Sequence, residues 1–428
     1  MKKRLIGMLT ICMVLMLSGP GGVFAKDIVV LSQFPLSGPH GSLAEVGWGY
    51  MDAMNWFNNE AGGVGGKKIK WFMEDMRYNP TVEVSTFHKY CAEYSKDEFL
   101  MATGYITGAL KPLIKKVNEE EKIPWADGSF STEVFGEAGG PSKYPYYYSL
   151  GATYGDQIRV LVRWISENHK GEGNPRVAFV YSPTAYGRDG ISLGLAYAKE
   201  KGLDVVANIE YPYTATDATN ECMKIRKSKA QYVIYHGYTG WQAATAIFVK
   251  TLRKVVPDVQ FTGTHYLFAR LPFLVCKEAY DGVIAASCWP AFDAIPRSAT
   301  GMDNPMVKLV HDLAKKYRAE EYTKKGGIRD MALYFIGSLY AFVIQQSLLE
   351  AHNAGDLSRA GIKKAMDNMV WDFKGMFDGK TFAYKSHTIP MLRLYRAKVK
   401  VVEMGGKKVP TGKWVPIGDW INTDETKW

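Results

Sequence analysis

The chain has 428 residues, of which 47% are hydrophobic and 22% charged, with a formal net charge of +10. This is the profile of a globular protein with ample core and two or three domains. Its lysines and arginines are scattered, and no basic run is interleaved with stacking aromatics, which argues against a nucleic-acid partner.

The N-terminus stands apart from any fold. Lys2, Lys3 and Arg4 precede an apolar run from Leu5 to Leu17, and Val23-Phe24-Ala25 has the small-x-small form of a cleavage site. Residues 1–25 therefore read as a secretory signal peptide cleaved after Ala25, and the mature chain is expected in the periplasm. The run is too short to span a bilayer. Cys12 lies inside it and not at the cleavage point, so a freely soluble exported protein is expected, with no lipid anchor. Export permits disulfides. The mature chain keeps Cys91, Cys222, Cys276 and Cys288; Cys276 and Cys288 flank a predicted turn and could pair, although four cysteines allow three connectivities. There is no CxxC, and no two of the eight histidines lie within one helical turn of each other, so neither a local metal motif nor a cofactor is expected.

In chain order, Ile28 to Phe34 reads as a strand. Leu43, Val46, Tyr50, Met51, Met54 and Phe57 then recur at helical spacing and make Ser42 to Glu60 an amphipathic helix. The following "GGVGGKK" invites a phosphate-loop reading. The order is wrong for one, since a phosphate loop runs from strand to helix and this segment runs from helix to strand at Ile69, Trp71 and Met73. Ala61 also stands where the motif needs Gly, and Lys68 where it needs Ser or Thr, so the segment is a turn with Gly62 or Gly63 as helix cap. Helix and strand go on alternating: Val82 to Ser95, Phe99 to Gly104, Ala109 to Glu121 with Pro112 in its first turn, and Ile123 to Asp127. After a tyrosine-rich passage, Lys143 to Tyr148, the rhythm restarts with Tyr154 to His169, Arg176 to Tyr181, Ile191 to Lys201, Val205 to Tyr211, Ala218 to Lys229, Tyr232 to Tyr235, Trp241 to Val255 and Phe261 to Gly263. Two such series predict an α/β fold with two doubly wound parallel sheets. Beyond the strand Val283 to Ser287 come helices at Asn304 to Lys325, Met331 to Glu350 and Ser358 to Met369, then strands at Met391 to Glu403 and Lys413 to Ile417. The second of these helices is apolar nearly all round, but Gln345, Gln346 and Ser347 interrupt it, and a buried helix is expected over a membrane span.

Gly190-Ile191-Ser192-Leu193-Gly194 spells the GxSxG of a nucleophile elbow, with Asp217 and His236 following in hydrolase order. An elbow needs its serine on the turn directly after a strand, whereas Ser192 falls inside a predicted helix, so no catalytic constellation is expected. A secreted serine hydrolase using Ser192 is the alternative from another class. The loops after the strands ending at Gly104 and Asp127 look more promising. Tyr105-Ile106-Thr107-Gly108-Ala109 and Gly128-Ser129-Phe130-Ser131-Thr132 both place small hydroxyls beside a helix start, where amides and the helix dipole favour an anion. The bland alternative is that Thr107 and Ser131 only cap helices.

The opening "DIVVLSQFPLSGPHGSLAEVGWGYMDAMNWFNNEAGGVGGKKIKWFMEDMRYNP", with "YGRDG" at Tyr186 to Gly190 and "YDGVIAAS" at Tyr280 to Ser287, resembles the branched-chain amino acid and amide family of periplasmic ABC-transporter binding proteins. The resemblance implies two lobes joined by three crossovers that close on a solute: residues 26–148 with 287–376, and residues 149–286 with 377–428. It implies a monomer that delivers a small solute to a membrane ABC permease; a ligand-sensing module of a receptor system is the related alternative. By position it makes Thr107, Ser129 and Ser131 holders of the ligand carboxylate, and Tyr154 and Tyr238 the aromatics that close over it. One departure stands out. His265 occupies the place where amino-acid binders of this family carry the acid that pairs with the ligand ammonium, and a histidine supplies no fixed negative charge. Tyr78 and Ile106 resemble the positions of the family's cysteine pair. An amine-free aromatic or aliphatic acid, or an amide, thus becomes an expected ligand beside an amino acid.

Overall fold

The computed structural model describes residues 26–38, 43–136, 142–237, 243–269, 271–291, 303–323, 328, 331–404 and 407–428. The strands are β1 (Ile28–Phe34), β2 (Ile69–Asp75), β3 (Phe99–Gly104), β4 (Trp125–Asp127), β5 (Tyr147–Ser149), β6 (Arg176–Tyr181), β7 (Asp204–Glu210), β8 (Tyr232–His236), β9 (Gln260–Gly263), β10 (Ile284–Ser287), β11 (Val370–Trp371), β12 (Phe382–Ala383), β13 (Met391–Met404) and β14 (Lys407–Asn422). They form two lobes. The first holds a wholly parallel sheet in the order β2-β1-β3-β4-β5, and the second a mixed sheet in the order β14-β13-β10-β9-β8-β6-β7. Central strand β1, IVVLSQF, is buried at all seven positions, as a strand covered by helices on both faces must be.

The chain leaves the first sheet after β5, leaves the second after β10, and re-enters it at β13, which pairs antiparallel with both β10 and β14. Between those passages lie helices that pack on the first lobe. Met331–Asn353 lies against Ala44–Asn59 so closely that a Cβ on Gly337 would stand 1.7 Å from the Val46 carbonyl oxygen, and one on Gly49 1.8 Å from that of Tyr334. Only glycine permits that approach. With 89% of its most apolar window buried, Met331–Asn353 is a core helix, as its interrupting glutamines imply.

Several elements differ from the sequence reading, each for a local reason. The expected helix Asn304 to Lys325 is two, Pro305–Tyr317 and Ala319–Thr323, broken where Arg318 leaves helical geometry. There its guanidinium forks onto Asp52 at 2.9 and 3.1 Å, and Asp52 also accepts from the Tyr334 hydroxyl at 2.9 Å. The helix expected at Ala109 begins at Thr107, which puts Pro112 in its interior, and continues as a π-helical turn over Lys116–Glu121. Strand β5 hides in the tyrosine-rich passage, and β14 runs well beyond Lys413 to Ile417 on both sides as the partner of β13. The glycine-rich segment is the expected turn, with Gly62, Gly63, Gly65 and Gly66 all at positive φ. The four cysteines among the described residues are free, so Cys276 and Cys288 are not bridged; Cys276 sits in the core of the second lobe, and Cys288 beside Gln157 and Ala152.

Candidate functional site

The carboxyl ends of β3, β4, β8 and β9 face one another, and their loops meet. Thr107 is the first residue of the helix Thr107–Lys115; its hydroxyl does not cap that helix but lies 2.8 Å from the Ser129 hydroxyl. The Tyr154 phenol, at the start of the helix Tyr154–Asn168, completes the cluster. Burial raises its pKa, while Thr107, the Phe130 backbone and Ser129 hydrogen-bond it and favour its ionised form. Thr107, Ser129 and Tyr154 are all buried. Two hydroxyls, a phenol and a backbone amide converging in a buried site are what a carboxylate needs for its lone pairs.

Two buried acids hold these loops in place. Glu83 Oε2 accepts from the Ile106 amide at 3.3 Å, and Asp127 accepts from the Ser129 amide at 2.5 Å and from the Trp125 indole at 2.6 Å. Their carboxyls converge over Gly104, where a Cβ would lie 2.3 Å from Glu83 Oε1 and 2.8 Å from Asp127 Oδ2. Burial, and for Glu83 also the neighbouring Asp127, pushes both upward, Asp127 to about 7, so the pair retains a proton near neutrality.

Ser131 does cap its helix, accepting from the Val134 amide at 3.3 Å, and its hydroxyl also donates to Asp189. The other Asp189 oxygen accepts from the Thr132 amide at 2.7 Å, while the Thr132 hydroxyl accepts from the Gly155 amide at 2.8 Å. Asp189 thus brings a carboxylate to the second loop of the first lobe; burial raises its pKa to about 6, which leaves it ionised at neutral pH. His265 is buried among rings, with centroids at 4.7 Å for Phe130, 3.8 Å for Tyr266 and 5.3 Å for Trp289. Burial, and then the nearby His236, holds its pKa well below the ordinary value, so the imidazole is neutral. Tyr238 lies outside the described residues.

The hydrolase alternative finds no support in the geometry. Ser192 is an exposed second residue of the helix Ile191–Glu200. His236 is buried on β8, with Nδ1 2.9 Å from the Thr264 hydroxyl and Nε2 3.2 Å from the Tyr186 carbonyl oxygen, so both ring nitrogens are engaged away from Ser192. Of the residues that sequence reasoning missed, Asp189 lies in the quoted "YGRDG", and Glu83 shares the helical stripe of Phe87 and Tyr90, where an acid is out of place. Gln157 and Trp289 carry no comparable signal.

Residues 30–407 match the family model described as periplasmic binding protein. The chain belongs to the periplasmic binding protein family. No curated protein matches its sequence. Among solved structures, this periplasmic binding protein is similar to a branched-chain amino acid ABC transporter protein from Thermus thermophilus with bound valine, at TM-score 0.74 and 18% identity over 93% of this chain and 97% of the other. It is similar to a fatty acid ABC transporter substrate-binding protein from Thermomonospora curvata, at TM-score 0.70 and 16% identity over 94% of each chain. A third similar structure is the solute-binding protein of an ABC transporter from Rhodopseudomonas palustris HaA2 in complex with p-hydroxybenzoic acid, at TM-score 0.69 and 16% identity over 93% and 98%. At these identities the likeness carries the two-lobed fold.

Proposed function

We propose that this protein is exported, loses its signal peptide after Ala25, and as a monomer captures a small carboxylate-bearing solute between its lobes for delivery to an ABC permease. The observation that carries the reading is the convergence of the Thr107 and Ser129 hydroxyls, the Phe130 amide and the Tyr154 phenol at the carboxyl ends of β3 and β4. In open parallel sheets that is where ligands sit. Valine and p-hydroxybenzoic acid, the solutes named for two of the similar structures, are both small carboxylic acids. His265 places a neutral ring where an ammonium would want a negative charge, which favours amine-free acids over amino acids. Ser131 takes part through Asp189, and the lobes take residues 26–148 with 287–376 and 149–286 with 377–428. The chain is proposed to break no bond in its solute; its work is closure, since contacts with both lobes favour the closed state.

The test is calorimetric titration of the mature protein, refolded to remove carried solute, with amine-free acids, the matching amino acids and the matching primary amides. Saturable binding of acids above amides is expected. Binding of the amide as tightly as the acid would refute the carboxylate assignment.

A further inference from the structure

Two histidines stand at the carboxyl ends of neighbouring strands, and their environments differ in one respect. Both nitrogens of His236 have partners, as described above. In His265, Nδ1 lies 2.9 Å from Gln157 Oε1, and the His265 backbone amide donates to the same oxygen at 3.0 Å. The Gln157 amide has no freedom to flip, because its Nε2 donates to the Ala152 carbonyl oxygen at 2.8 Å. A carbonyl oxygen only accepts, so the imidazole proton resides on Nδ1. Nε2 then carries a bare lone pair, and it is buried without a hydrogen-bond partner. Beside it, the Trp289 indole N–H is likewise buried and unpartnered. Such orphans cost stability unless something else satisfies them.

Resting on the carboxylate reading above, we infer that the solute carries a hydroxyl at the end away from its carboxylate, donating its proton to His265 Nε2 and accepting from Trp289 Nε1. A hydroxyl satisfies both groups at once. An ammonium donates to Nε2 but offers nothing to the indole, and it brings a charge into surroundings that already disfavour the imidazolium. An ether accepts from Trp289 but leaves the histidine lone pair bare. His265 and Trp289 are thus specificity-determining residues, and Gln157 is a positioning residue that selects the tautomer.

The experiment titrates the mature, solute-stripped protein with benzoate, 4-hydroxybenzoate and 4-methoxybenzoate, and with an ω-hydroxy aliphatic acid and its parent. The hydroxy acid is expected to bind at least about tenfold tighter than its parent or its ether. In His265→Phe that advantage disappears. A hydroxyl advantage that is missing in the native protein, or that survives His265→Phe, overturns the inference and leaves the carboxylate reading standing; silence with every acid overturns both. Because the variant could fail to fold, nitrogen-15 spectra of the native protein supply an independent readout. An Nδ1-protonated, Nε2-bare His265 is expected, and the opposite tautomer overturns the inference.

Discussion

At the residue scale, the loops proposed to hold the solute depend on two buried acids behind them. Glu83 and Asp127 fix the Ile106 and Ser129 amides, and they are a pair in which burial raises both folded pKa values, that of Asp127 from 3.8 to about 7. The folded state therefore binds a proton that the unfolded chain releases. The stabilisation from this pair is fully present below about pH 4 and is lost as pH rises through about 7. Glu83→Gln keeps an acceptor for the Ile106 amide and removes the Glu83 share of the titration, leaving that of Asp127. Its melting temperature is predicted to gain on that of the native protein as pH is raised across this window, and parallel curves would contradict the pairing. Thr107 and Ser129 stand out in the sequence as short hydroxyl residues after strands, and the fold brings their hydroxyls within 2.8 Å. The partners that set their geometry do not stand out. Glu83 and Asp127, and Ser131 and Asp189, are separated by tens of residues and Gln157 and His265 by 108, and only the folded backbone brings them together.

At the element scale, what was legible is whatever local pattern dictates. Strands β1, β3 and β6 follow from apolar, β-branched runs bounded by turn signals, and their ends match the sequence reading residue for residue. Strand β5 does not, because its three residues are strand only through pairing with β4. The break at Arg318 is similarly tertiary, bought by the ion pair with Asp52. The contact between Met331–Asn353 and Ala44–Asn59 rests on Gly337 and Gly49, whose surroundings leave no room for a methyl group. Gly337→Ala forces the helices apart and is predicted to cost roughly 2–3 kcal/mol of unfolding free energy, within the range for overpacked cores. Denaturant melts measure it, and a change within error would show that the helices slide at no cost.

At the scale of the whole molecule, the proposed function works by closure, and Asp189 is proposed as its clasp. It ties Ser131 and Thr132, beyond β4, to the segment following β6 without taking part in the carboxylate cluster. Asp189→Ala should lower the population of the closed state, and apparent affinity falls with that population. All acids are then expected to bind more weakly by a common factor, with their rank order unchanged; a change of rank, read by calorimetry, would place Asp189 in direct contact with the solute. Small-angle scattering should also show the radius of gyration falling when the native protein binds an acid.

The central claim is that Thr107 and Ser129 hold a solute carboxylate in the cleft between the lobes. It is tested most directly by melting the solute-stripped native protein and the Thr107→Ala/Ser129→Ala variant, with and without a saturating acid. At about a hundred times its dissociation constant an acid adds roughly 2.7 kcal/mol to the native protein, an unmistakable rise in melting temperature. The variant is predicted to lose most of that rise while melting within a few degrees of the native protein when no acid is present. An equal rise in both proteins would contradict the account.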